Sequence, residues 1–387
     1  MSNFSDFQLG VYLEGILGQA PTMPFTFSEL EAQAQEAVVP DLWDYVAGGA
    51  GDEHTQQGNV AAFERLGIRP RMLVGAGQRD QSVDLFGMSL PSPVFMAPIG
   101  VLGVLSSDGH GDIAAAKAAA ATGVPLVGST LMQDPLEEVA ANLGQTPGMF
   151  QLYTPNDREL AVSLISRAES AGYRALVVTL DTWTLGYRPR DLRHGTFPQL
   201  GGAGLANYTS DEVFLRRLPA ERRDDPAAAV EQWAGVFGNP TLSWADLDWL
   251  RGSTSLPLIL KGICAAEDVR QARDAGVDGI YCSNHGGRQA ASAPALTFLP
   301  EVVAAAGDLP VLFDSGVRSG VDIVKALALG ATAVGIGRPY GYGAALGATD
   351  GIVHVLKSLL AEMDLTMALN GYASITELHP DILLPVP

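Results

Sequence analysis

A histidine and an arginine stand three residues apart in GIYCSNHGGRQ, Gly279 to Gln289, where an apolar run breaks into a polar cluster. An imidazole at His285 can accept a proton, and a guanidinium at Arg288 can grip a carboxylate through two parallel hydrogen bonds. The two glycines between them would let the loop pass close to a ligand. Asp181, at the end of the run ALVVTLD, supplies a carboxylate that could stabilise the imidazolium. Of the lysines Lys117, Lys261, Lys325 and Lys357, Lys261 alone ends such a run, in LPLILKG. With Arg188, Arg288, Arg318 and Arg338 it would give a positive opening to a chain of formal net charge −19, an arrangement suited to an anionic ligand.

DSGVRSG and GIGRPYG place glycines beside Arg318 and Arg338, so open backbone N–H groups and two guanidiniums could hold a phosphate. A phosphate next to a base and a carboxylate clamp points to a phosphorylated cofactor and a small acid. Other chemistries lack their motifs. GHGDIA, Gly109 to Ala114, fits G-x-G-x-x-A, but the following strand ends in Gly-Ser-Thr rather than in an acid for a ribose, so it reads as a helix N-terminus. There is no Gly-Lys dipeptide and hence no P-loop. The six histidines, His54, His110, His194, His285, His354 and His379, show no metal-ligand spacing, and no metal is expected. His54, His110, His354 and His379 read as surface or capping residues.

Such groups need a frame. Eight short apolar runs recur from Val94 onward: VFMAPIG, PLVGST, MFQLY, ALVVTLD, PLILKG, GIYCSN, VLFDSG and AVGIG. Helical stretches separate them, and Ala-Gly steps such as DAGVDGIYCSN suit a helix C-cap turning into a buried parallel strand. The pattern predicts an α/β chain, a (β/α)8 TIM barrel with an N-terminal helical cap and a long insertion after strand 4. We place N-terminal helices and a hairpin at 1–90, the barrel at 91–370 with a lid or oligomer contact at 182–256, and a tail at 371–387. In such barrels chemistry sits at the C-terminal strand ends. Those ends carry, in order, Pro98, Ile99 and Gly100; Ser129; Gln151 and Tyr153; Thr179 and Asp181; Lys261; Ser283 and His285; Asp314, Gly316 and Arg318; Gly337 and Arg338. Trp43 and Tyr45 lie near a helix end that Gly48 and Gly49 would terminate.

The 387 residues, 47% hydrophobic and 17% charged, describe a well-buried globule. The acidic balance disfavours nucleic acid and anionic membranes as partners. Leu85 to Ser107 is uncharged, yet its prolines and glycines make it a hairpin and a buried strand rather than a membrane span. Two cysteines, Cys264 and Cys282, and no lysine or arginine before Arg65 suit a reducing, cytoplasmic location.

YVAGGAGDE, APIG, QLY, TLDT with GYRPRD, LILKG, SNHGGRQ, DSGVR and GIGRP together resemble the FMN-dependent L-2-hydroxy acid oxidising family, in order along nearly the whole chain. The resemblance implies FMN as cofactor, a small L-2-hydroxy acid and O2 as reactants, and a homo-tetramer or homo-octamer. It implies His285 as base held by Asp181, Arg188 and Arg288 on the substrate carboxylate, and Tyr45 and Tyr153 on its carboxylate and hydroxyl. Lys261 would lie by the flavin N1 and C2 carbonyl. Ser129, Gln151 and Thr179 would meet the ring's polar edge, and the Pro98, Ile99 and Gly100 backbone would face N5. Arg318, Gly337 and Arg338 would take the phosphate, with Ser283, Asp314 and Gly316 completing the cofactor set. PTMP, PRML, DGHGD and the long insertion are most similar to the lactate 2-monooxygenase branch, which turns lactate into acetate, carbon dioxide and water. Gly100 stands where the glycolate-oxidising branch has alanine and leaves room by the flavin face; Leu131 stands where it has tryptophan and suits a substrate with a methyl or slightly larger side chain. A simple 2-hydroxy acid oxidase, a Schiff-base lyase using Lys261 and a non-catalytic barrel are the alternatives.

Overall fold

The structure is a computed structural model and describes residues 3–386. The eight apolar runs form eight parallel strands, β1 (Val94–Met96), β2 (Val127–Gly128), β3 (Met149–Leu152), β4 (Leu176–Thr179), β5 (Leu258–Lys261), β6 (Gly279–Cys282), β7 (Val311–Phe313) and β8 (Ala333–Ile336). Every residue in them is buried, which is why these stretches are apolar on both faces rather than alternating. The hydrogen-bonded order is β1-β8-β7-β6-β5-β4-β3-β2. A parallel bridge from Met96 to Leu126, with Met96 N donating to Pro125 O at 2.8 Å, joins β1 to the start of β2 and closes the ring. The (β/α)8 barrel read from the sequence is therefore the observed architecture.

Inside the barrel, Phe95, Val127, Met149, Val177, Ile259, Tyr281, Leu312 and Ala333 form their own core. Leu85, Met88 and Leu90 join them from the antiparallel hairpin of Val83–Leu85 and Met88–Leu90, which plugs the N-terminal end of the ring. Phe86 at the hairpin turn packs so tightly on Gly279 that a Cβ there would lie 2.6 Å from the ring. Chemistry is thereby confined to the opposite end. Burying each of these large side chains stabilises the fold by about 1.5–3 kcal/mol.

Helices Asp6–Ile16, Phe27–Ala37, Pro40–Ala47 and His54–Glu64 precede the barrel, and Leu66–Ile68 pairs antiparallel with Leu383–Pro385 from the tail. The stretch between β4 and β5 folds into five short helices and several 3-10 turns around buried Tyr208, Phe214 and Trp233. Asp211 caps Glu212–Arg217 by accepting from Val213 N at 2.8 Å and Phe214 N at 3.2 Å. It also accepts from Ser163 Oγ and from Arg167, both on a barrel helix, and so ties the insertion down. The last helix runs from Arg338 to Asn370, with Pro339 fitting its first turn and Gly347 and Ala348 interrupting it.

One histidine departs from expectation. His354 is not a surface residue: its Nε2 lies 2.9 Å from Pro24 O and its ring packs on Phe7 and Phe25. His110 holds the expected position at the N-terminus of Gly111–Thr122. Among the described residues, no helix is long and apolar enough to cross a membrane.

Candidate active site

β6 ends at Cys282 and the chain turns sharply, with His285, Gly286 and Gly287 all at positive φ (58°, 64° and 77°). A Cβ at Gly287 would meet Gln56 N at 2.6 Å, so only glycine allows the loop to lie against the helix His54–Glu64. The strained turn is braced from β7. Asp314 accepts from Tyr281 at 2.7 Å, Ser283 at 2.5 Å and Ser315 at 2.9 Å, while Ser283 Oγ accepts from His285 N at 3.1 Å. Ser283 and Asp314 thus have protein partners that hold the histidine loop, in addition to any contact with a cofactor.

His285 Nδ1 lies 2.8 Å from Asp181 Oδ1, 3.4 Å from Thr182 Oγ1 and 3.5 Å from Lys261 Nζ. The other ring nitrogen, Nε2, is left as the acceptor on the cavity side. Burial alone would push the Asp181 carboxyl up, but the charges of His285 and Lys261 and two hydrogen bonds hold it well below the usual carboxylate range. Burial pushes the His285 imidazole down, Asp181 opposes this, and Lys261 adds to it. The resting pair is therefore a carboxylate and a neutral imidazole, able to take one proton.

Cations surround this pair. Arg188 is buried, with Nε donating to Arg288 O at 3.1 Å and a second nitrogen donating to Gln289 Oε1. Burial and the neighbouring Arg288 charge bring it down to about 10. Arg288 stacks 5.1 Å above the Tyr45 ring and donates to the Val46 and Gly48 carbonyls at the end of Pro40–Ala47. Tyr45 Oη accepts from Gln199 Nε2 at 2.9 Å, which leaves its own proton free to donate. Burial, reinforced by the Asp181 charge, pushes the Tyr153 hydroxyl up, so it too stays a donor.

The cavity wall holds Tyr45, Tyr153, Arg188, Lys261, His285 and Arg288 together with Pro98, Ile99, Gly100, Asp314, Gly316, Arg318, Gly337 and Arg338. Ser129 and Gln151 lie just behind it. Gln151 Oε1 accepts from Ser129 Oγ at 3.0 Å and Thr130 N at 3.2 Å, which fixes the amide with Nε2 as a buried donor lacking a partner among the described residues. Thr179 Oγ1 is likewise buried without a partner among the described residues, and Thr179 also borders a neighbouring cavity. Arg338 donates to Gly286 O, Gly48 O and Gln56 Oε1, and Arg318 covers Phe27. The Nε atoms of both arginines lack partners among the described residues. Burial, with the nearby Arg318 and Arg288 charges, brings Arg338 down to about 9.

Residues 34–385 match the family model of the FMN-dependent dehydrogenases. This chain belongs to that family. Like other FMN-dependent dehydrogenases, it has relatives that act on hydroxy acids. It is 40% identical to an L-lactate oxidase of Lysinibacillus sphaericus over 381 residues, 98% of this chain and 97% of that one. It is also 40% identical to a peroxisomal (S)-2-hydroxy-acid oxidase of Oryza sativa subsp. japonica, over 92% of this chain and 94% of the other. Among solved structures, an oxidized active mutant of (S)-mandelate dehydrogenase superposes with a TM-score of 0.84 at 34% identity, covering 94% of this chain and 99% of that one. Mandelate oxidase gives 0.82 at 35% identity, covering 94% and 98%. This FMN-dependent dehydrogenase is a flavin-dependent oxidoreductase of 2-hydroxy acids.

The residues fit FMN. The fixed Gln151 donor would suit the polar edge of a flavin ring, since leaving it unpaired would cost about 1–3 kcal/mol. The desolvated guanidiniums of Arg318 and Arg338, beside glycines 316 and 337, repel one another unless an anion such as a phosphate lies between them. Wall residues that escaped the sequence reading include Gln199, Phe197, Phe237 and Leu185, all from the insertion. No motif marks them; only the folding of the insertion over the strand ends brings them in. Gln289, the last residue of SNHGGRQ, also has a task, bridging Arg188 to the carbonyl of Asp181.

Proposed function

We propose that the chain oxidises L-lactate, or another small L-2-hydroxy acid, with O2 and holds the keto acid until peroxide decarboxylates it, giving acetate, carbon dioxide and water. The observation that carries this reading is the enclosure of the anion clamp by the insertion. Arg188 from the insertion is buried and bonded to both Arg288 and Gln289, and Gln199 from the insertion reaches Tyr45. A product gripped by groups that must part together leaves slowly.

Arg188 and Arg288 hold the carboxylate, and Tyr45 donates a further hydrogen bond to it. Tyr153 donates to the substrate hydroxyl oxygen. His285 Nε2 takes the hydroxyl proton, and Asp181 stabilises the imidazolium that results. FMN, when bound, would supply a two-electron acceptor for the Cα–H electron pair and a donor to O2. Lys261 offers a positive charge to the flavin edge, with Gln151 and Ser129 as hydrogen-bond partners, and Arg318, Gly316, Gly337 and Arg338 hold the phosphate. The substrate side chain faces Leu131, whose Cβ lies 3.2 Å from where a Cβ on Gly100 would stand. The small residue at 100 keeps that corner open.

A second reading, an oxidase that releases pyruvate and hydrogen peroxide, is supported by the 40% identity to L-lactate oxidases of Lysinibacillus sphaericus and Nostoc. Products decide between the two. Turnover of L-lactate in air is expected to yield acetate and carbon dioxide with little free peroxide. Stoichiometric peroxide and pyruvate without acetate would assign the oxidase. A Schiff-base lyase and an inert barrel have no support in a chain of this family.

A further inference from the structure

A second cavity, of about 410 Å³, lies against the catalytic one. Tyr153, Thr182 and Phe237 line both. The Tyr153 and Phe237 rings meet edge to face at 5.3 Å, and Thr182 is held by the Asp181 carboxylate at 2.9 Å. The two cavities differ in charge. Lys261, Arg188, Arg288, Arg318 and Arg338 line the first. The second has no lysine, arginine or histidine; its titratable groups besides Tyr153 are Asp181 and Asp268, and much of its wall is aliphatic or aromatic, including Leu242, Trp244, Leu247 and Ile263.

We propose that this second cavity is a dioxygen site and passage, separate from the mouth used by the acid. With Asp268 and Asp181 on its wall and no cationic side chain there, this cavity offers a 2-hydroxy acid or keto acid anion no partner, whereas dioxygen is neutral and apolar and enters aliphatic and aromatic cavities readily. The inference rests on the held-product reading above and follows from its geometry. When a keto acid fills the cationic cavity, dioxygen needs another way to the same centre, and this cavity is parted from it by the shared side chains Tyr153, Thr182 and Phe237. No bond is made or broken in the passage itself; the electron pair that reduces dioxygen comes from the hydroxy acid.

Leu242→Trp and Ser243→Phe test it, since both positions are at least partly exposed and lie outside the catalytic machinery. In stopped-flow experiments on the holoenzyme, anaerobic reduction by L-lactate is expected to stay within about twofold of the parent, while the second-order rate constant for reoxidation by O2 falls on the order of tenfold. Xenon-pressurised crystals of the parent are expected to hold xenon in this cavity, and those of Leu242→Trp are expected not to. Unchanged reoxidation in both variants, with the new ring seen filling the cavity, overturns the passage, as does xenon confined to the cationic cavity. A parent that is not reduced by L-lactate but holds xenon here would sink the lactate reading and leave the apolar site standing.

Discussion

His285 Nδ1 faces Asp181 at 2.8 Å, and that contact makes pH a direct probe of the site. Burial holds the imidazole below its ordinary value of about 6.5, so kcat/KM is expected to be flat near neutrality and to fall only as pH drops below that value and His285 gains its proton. Asp181 is the group that raises His285. Asp181→Asn is therefore expected to move the acid limb to still lower pH while cutting the plateau by roughly 10²-fold, as measured from kcat/KM profiles. An unmoved limb would mean that another group titrates. Gln199 allows a second test. Gln199→Glu keeps the size but offers only acceptors, so it captures the Tyr45 proton and sets a negative charge near the clamp. KM for the acid is expected to rise about tenfold with a smaller change in kcat, and Gln199→Leu to fall between the two. The residues that sequence made legible were those in dense local motifs, such as His285 and Arg288 within one loop. Gln199 was not legible, because its meaning comes from a ring 154 positions away.

Strands and their end residues were readable because a strand buried on both faces leaves a continuous apolar run, and each run ends at the active rim. The insertion was readable only as an insertion. Its helices are only four to eleven residues long, and Asp211, Asp225 and Asp246 stand at the N-caps of three of them, a signal that also describes a loop. Asp211 shows what holds this element. It caps a helix, and its buried carboxylate accepts from Ser163 and Arg167 across the gap to the barrel. Asp211→Ala is expected to cost about 2–4 kcal/mol, seen as a lower midpoint in thermal unfolding. On the held-product reading it also raises the share of free pyruvate and peroxide, because a looser insertion releases the keto acid sooner. A full loss of stability with an unchanged product ratio would separate the insertion's packing from its role over the site.

The whole molecule carries a strip of unsatisfied apolar surface at its start. Leu9, Tyr12, Leu13, Ile16 and Leu17 are each more than half exposed on or beside the helix Asp6–Ile16, which buries none of its residues. We propose that this surface is covered in a homo-tetramer or homo-octamer. Leu13→Glu with Ile16→Glu is expected to lower the mass measured by light scattering by at least about half, since two charges in a buried contact oppose assembly. A parent that already scatters as a monomer would dismiss the idea. Composition did not mark this strip, because exposure of an N-terminal helix depends on what the barrel leaves uncovered.

The ring order has a consequence for biosynthesis. β8 sits between β1 and β7, so nothing shorter than the first 336 residues can close the circle. While the ribosome is still at work, both neighbours wait with bare hydrogen-bonding edges, a template for pairing with other nascent chains. Slower expression at low temperature, or more folding chaperone in the host, should raise the yield of intact protein more than any change to the rim where the chemistry is done.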